Sequence, residues 1–221
     1  MRSAWRTLDS DLLRSIALIC GSVAMVGVSY GASAVAAGFP LWLPVLTGAL
    51  VLAGSSEFLF VGITAAGGNP FAAVAAGLLV NARHVPYGLA LPEVIEPGWR
   101  RLLGTHLMND ETVVLALSQP DLVRKRAAYR LCGLGILIAW PLGAFLGSLG
   151  GTQVRDTGAF GLDATFPAVI LALILPALRE RVTREAALVG AAIALVASVY
   201  LPAGLPELLA LSGLLIRFVR A

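Results

Sequence analysis

The chain has 221 residues, of which 58% are hydrophobic and 13% charged, and its mean hydropathy is +0.85. An ordinary soluble domain carries about 25% charged residues, so this composition excludes a soluble globular fold and points to one membrane domain over residues 1–221, with no appended soluble module. The net charge of +3 comes from Arg residues in short patches beside apolar segments, which fits membrane topology and speaks against a nucleic-acid partner.

Apolar runs bounded by charge, Gly or Pro predict about eight membrane segments, at 15–37, 42–66, 70–91, 102–118, 131–149, 165–178, 185–201 and 205–219. The expected fold class is all-α, a polytopic membrane helix bundle in the lipid bilayer. Arg2, Arg6 and Arg14 precede an apolar run that is too long for a signal-peptide core of about 7–15 residues, so it reads as an uncleaved first helix. No Asp, Glu, Lys or Arg occurs from Ser15 to Ser56, and since a span needs roughly 20 residues this stretch holds two. The fourth, sixth and eighth runs are short for a hydrocarbon core of roughly 30 Å. Seven segments, or six with re-entrant ones, is therefore the alternative count.

Charged groups within apolar runs are expensive and call for a partner or a function. In the second run Glu57 ends Ala53-Gly54-Ser55-Ser56-Glu57-Phe58, where small residues let a backbone or ligand approach. It reads either as hydrogen-bonded packing or as a ligand- or proton-binding group. The third run carries Asn81-Ala82-Arg83-His84-Val85-Pro86-Tyr87. Pro86 cannot donate to Ala82, so a helix break is expected beside Arg83 and His84, and others around Pro141 and Pro176. In an unbroken helix Asn81 and His84 share a face and Arg83 points elsewhere. Arg83, whose fork of donors suits a carboxylate, pairs either with a structural partner or with a substrate.

The fourth run contains His106-Leu107-Met108-Asn109-Asp110-Glu111-Thr112. Asp110 and Glu111 read either as acids in the first turn of a short helix or, because Leu102-Leu103 continue the run upstream, as acids inside a span. Cys20 and Cys132 lie in apolar stretches without metal-ligand spacing, so no disulfide framework, metal or cofactor is expected.

With the N-terminus inside and eight crossings, inner loops collect Arg2, Arg6, Arg14, Arg124, Lys125, Arg126, Arg130, Arg179, Arg181, Arg184, Arg217 and Arg220, while outer loops keep Arg100, Arg101 and Arg155. The bias obeys the positive-inside rule and predicts both termini in the cytoplasm.

The intramembrane inventory suits a zwitterion. Arg83 would meet an α-carboxylate, Asp110, Glu111 or Glu57 an α-ammonium, and Asn81 would add a polar contact. His84, Glu57 and Asp110 are candidates for coupling transport to protons. Two other classes stand beside a carrier. A channel or structural subunit would need a filter loop or ring motif that a single chain seldom reveals. An intramembrane hydrolase would use His84, His106, Asp110 and Glu111 around a metal, but neither H-E-x-x-H nor G-x-S-x-G occurs.

At these same residues the chain resembles the AzlC/YgaZ family of bacterial branched-chain amino acid permeases. Ala53-Gly54-Ser55-Ser56-Glu57-Phe58 is similar to that family's A-G-[AS]-[AS]-Q-F, Asn81 through Gly88 to its [ND]-x-R-H-x-x-Y-[GS], and Asn109-Asp110-Glu111 to its T-D-E. Trp140 to Gly147 and Leu175-Pro176-Ala177-Leu178 are weaker echoes. The resemblance implies export of branched-chain amino acids across the bacterial cytoplasmic membrane with a small AzlD/YgaH-type membrane partner. Glu57 stands where the family usually has Gln and Asn109 where it has Thr, while Pro86 is unusual, so Glu57 adds a titratable group.

Overall fold

The computed structural model describes residues 9–152, 171, 175, 177–201 and 205–216. Among these every regular element is helical: α1 (Ser10–Ala36), α2 (Trp42–Leu50), α3 (Ser55–Ala65), α4 (Pro70–Asn81), α5 (His84–Ala90), α6 (Arg100–His106), α7 (Asp110–Leu117), α8 (Leu122–Gly151), α9 (Arg181–Ala197) and α10 (Leu205–Ala210), with 3-10 turns at Ala177–Arg179 and Leu211–Leu214. The predicted segment 165–178, including Pro176, lies largely outside the described residues. Two compact units divide the chain, one of Met1–Gly54 with Asn81–Arg155 and one of Ser55–Val80 with Asp156–Ala221.

The first unit is built on α1 and α8, which at 27 and 30 residues are long and apolar enough to cross a membrane. Small residues recur every fourth position on both, Gly27 and Gly31 on α1 and Gly143, Gly147 and Gly151 on α8. That spacing lets two backbones touch. A Cβ built on Gly31 would lie 1.9 Å from the Ala144 carbonyl oxygen, and one on Gly147 would lie 1.9 Å from that of Val28. Because the close approaches advance together along both helices, α1 and α8 run parallel. Their starts meet as well: Asp9 and Asp121 cap the two N-termini, and Arg124 bridges to Asp9 at 3.0 Å.

Beside this pair, Tyr30 stacks on Trp140 with ring centroids 5.5 Å apart and shares a 2.8 Å hydrogen bond with Thr47 of α2. The expected break at Pro141 does not occur. The proline sits within continuous α8, where packed neighbours support the turn that lacks its N–H bond.

Two predicted placements are corrected. Arg126 donates to the Glu93 carbonyl and Arg130 pairs with Glu96, so the α5–α6 connection, Arg100 included, lies at the end where α1 and α8 begin. Arg100 and Arg101 are therefore on the same side as Arg124 to Arg130, not opposite. Second, α6 and α7 do not cross. They enter from that end, reach Leu107 against Gly133, and return to α8 through Ser118–Asp121, forming a re-entrant hairpin. Tyr129 holds it by donating to the Gly104 carbonyl at 2.6 Å within a cluster of Leu91, Leu107, Met108, Val113 and Ala116. Runs 42–66 and 70–91 each divide into two shorter helices, α2 and α3 in the one and α4 and α5 in the other.

In the second unit, α3 and α4 form a hairpin around Ile63, Ala73 and Ala76, with Gly77 passing close to Ser56. There α9 meets α10 through Gly190 against the Ala210 carbonyl.

Candidate functional site

Three predicted runs are interrupted, and the interruptions bring chemistry together within the first unit. The second run breaks at residues 51–54 between α2 and α3, the third at Ala82 and Arg83, and the fourth at residues 107–109 between α6 and α7. Leu52 and Gly54 both have left-handed backbones, at φ of 52° and 57°. Such a conformation costs a side-chain-bearing residue roughly 1–2 kcal/mol, and here it takes the intervening Ala53 carbonyl out of the helical ladder.

The third break falls at Ala82 and Arg83, immediately before His84, where the missing Pro86 N–H predicts it. Without an N–H on Pro86, the Ala82 carbonyl instead accepts from Val85 at 3.1 Å. Asn81, whose carbonyl would normally take that Val85 N–H, receives the His84 ring Nδ1–H at 2.9 Å. Pro86 itself sits in the first turn of α5, a position that tolerates it. His84 packs edge-on to Tyr87, with centroids 5.8 Å apart.

Arg83 turns toward both other breaks. Its Nη2 lies 3.2 Å from Asp110 Oδ2 and donates to the Ala53 carbonyl at 3.0 Å. Tyr87, one turn along α5, donates to Asp110 Oδ1. Each carboxylate oxygen thus faces a donor from the broken third segment. The pair is accessible, with Arg83 and Asp110 side chains 26% and 47% exposed, so solvent screens part of its attraction.

Asp110 is the first residue of α7, and Asn109 forms a capping box with Thr112, accepting from its N–H at 2.9 Å. The acids therefore occupy the first turn of a short helix that begins partway along the hydrophobic run, which reconciles the two readings of the sequence. Glu111 is half-buried in the same turn. Buried and without a hydrogen-bond partner are Asn81 Oδ1 and Asn109 Nδ2. His106 donates its Nε2–H to the Ala49 carbonyl, 2.9 Å away, so the two histidines serve separate backbone groups.

Of the predicted site residues, Arg83 and Asp110 meet directly. Glu57 is buried in the first turn of α3, in the second unit. Two contributors are not among the predicted residues. Tyr87 is one helical turn from Arg83, a spacing that places both on one face, whereas the Ala53 carbonyl has only Gly54 beside it as a signal.

A profile of the AzlC protein family matches residues 18–154. The chain belongs to the AzlC family. The matched region contains Ala53, Arg83, Tyr87 and Asp110. A branched-chain amino acid transport protein AzlC of Bacillus subtilis is 27% identical over 218 residues, covering 96% of this chain and 85% of that one. An uncharacterized membrane protein of Haemophilus influenzae is 30% identical over 186 residues, 82% of this chain and 75% of its own. No solved structure matches. AzlC membership and the two long apolar helices together make this a membrane protein of a transport family.

Proposed function

We propose that this AzlC-family protein is a secondary transporter that exports small aliphatic, branched-chain amino acids across the bacterial cytoplasmic membrane, together with a small AzlD/YgaH-type membrane subunit. The observation that carries the reading is Arg83, set at a helix break with the Asp110 carboxylate at 3.2 Å and the Ala53 carbonyl at 3.0 Å. This is a cation beside two acceptors, the complement of an α-carboxylate and an α-ammonium. Interrupted helices supply such sites in many carriers because unwound backbone is tolerated only where it is buried or lines a cavity. The B. subtilis relative's name points to the same substrates.

Asp110, held by Tyr87 and Arg83, is the group we assign to proton exchange during the cycle, with His84 and Glu57 as further candidates. Glu111 and Asn81 line the same stretch of chain as secondary contacts. The positive end of α1 and α8 faces the cytoplasm, and both termini lie there.

The test is efflux of preloaded labelled leucine from cells lacking the gene, with and without the chain and its small partner. Efflux restored by the wild type and lost in Arg83→Ala supports the transporter. Leucine efflux equal in deletion and complemented cells, with both proteins in the membrane, rejects it.

A further inference from the structure

The α5–α6 connection carries a second feature that amino-acid transport does not use. A cavity of about 310 Å³ opens between that connection, α6 and α8, room for about ten waters. Its floor is apolar, from Leu103, Leu107 and Leu134, and its rim carries Trp99, Arg100, Glu96 and Arg130. Glu96 pairs with Arg130 and, at 3.3 Å, with Arg100. Two guanidiniums bring ten N–H donors, and one carboxylate cannot occupy them all, so the rim holds a net positive charge with donors to spare. The Arg100 guanidinium lies 5.7 Å over the Trp99 ring, and Trp99 itself is exposed, as aromatic residues at a membrane interface are.

This rim also sits at the end of the unit that gathers Arg14, Arg100, Arg101, Arg124, Lys125, Arg126 and Arg130 against the acids Asp9, Asp11, Glu93, Glu96 and Asp121, so that cations outnumber carboxylates there. We infer that the cavity binds an anionic phospholipid, its phosphodiester on Arg100 and Arg130 and the start of its acyl chain over Leu103, Leu107 and Leu134. Three features combine: surplus cation at the rim, an apolar floor continuous with the spans, and an exposed tryptophan between them. Basic pockets between membrane helices on the cytoplasmic side take lipid headgroups by this combination. A soluble anion would need only the rim.

The purified full-length protein, titrated with dioleoylphosphatidylglycerol or dioleoylphosphatidylcholine and read by native mass spectrometry, tests the site. Phosphatidylglycerol adducts should be retained and phosphatidylcholine adducts not. Each arginine replaced, in Arg100→Gln and Arg130→Gln, should lower retention about fivefold, equivalent to ~1 kcal/mol per cation near an anionic headgroup. Glu96→Gln, which removes the competing carboxylate, should raise it, giving a variant whose effect cannot come from unfolding. Arg101→Gln, outside the cavity lining, is the control and should change little. Equal retention of the two lipids, or a Glu96→Gln protein that binds less phosphatidylglycerol, would overturn the assignment. So would inorganic phosphate that raises the melting temperature as much as phosphatidylglycerol does, since the site would then be one for a free anion.

Discussion

Replacing Gly147 by Ala should separate the two long helices of the first unit. The added methyl would sit 1.9 Å from the Val28 carbonyl oxygen, against 3.4 Å for ordinary contact. The deficit is about 1.5 Å, and the obstacle is backbone on both sides, so no side chain can rotate away. Either α8 moves off α1, loosening the neighbouring approaches of Gly31 to Ala144 and of Gly143 to Ala24, or one helix bends. Overpacking of this kind costs roughly 1–3 kcal/mol, occasionally more, and because the rest of the stripe loosens with it the upper value is expected. For a chain of this size ~3 kcal/mol lowers the melting temperature by about 6–12 °C. Thermal unfolding in detergent measures it. Gly21→Ala is the control, because nothing lies within 4 Å of its Cβ position and alanine favours a helix over glycine by up to ~1 kcal/mol. If Gly147→Ala melts with Gly21→Ala, the close approach of α1 and α8 is wrong.

Arg83→Ala and Asp110→Ala should couple in a double-mutant cycle on stability by about 1 kcal/mol, low for touching residues because the pair is partly exposed; strict additivity would deny the ion pair. Asn109→Ala should cost ~1 kcal/mol through loss of the α7 cap and weaken leucine efflux with it, whereas unchanged melting would remove Asn109 from that role. The hydrogen bond from Arg130, with Arg100 assisting, holds the Glu96 carboxyl below its ordinary 4.5. The stabilisation it gives is present above that ordinary value and lost as pH falls through the lowered one. Melting curves of wild type and Glu96→Gln should therefore differ at neutral pH and converge in acid; a constant difference would contradict this. Cysteines introduced at Glu93 and Gln119 should react with an impermeant maleimide from the same side of the membrane, and labelling from opposite sides would restore α6–α7 as a crossing.

Hydrophobic runs locate the helices well but not their interruptions, because a run registers apolar content and not ladder hydrogen bonds. Leu52 is apolar and keeps the second run continuous in hydropathy, yet its backbone is left-handed. Pro86 does signal a disturbance, and the missing N–H acts on Ala82, so the break appears a turn earlier than the proline. Pro141 carries the same residue-level signal and gives no break, since the packing that supports it involves Tyr30, Gly48 and α1, all remote in sequence. Arg83 and Asp110 are legible as costly charges in apolar surroundings; that they face each other depends on where two breaks fall. Counting loops misplaces Arg100 because it assumes that each run crosses. The glycine stripe at 27 and 31 and at 143, 147 and 151 is readable at its four-residue spacing.

That stripe has a consequence for how the protein is made. Gly31 and Ser148 approach each other across 117 positions of chain, and synthesis at about 5–20 residues per second separates their emergence by roughly 6–23 s. Throughout that interval α1 is already in the bilayer with its small-residue face uncovered, the kind of surface on which two copies of a helix associate. Assembly therefore requires α1 to wait unpaired for α8, and crowding of nascent chains would favour α1 pairing with its own copy over the native partner.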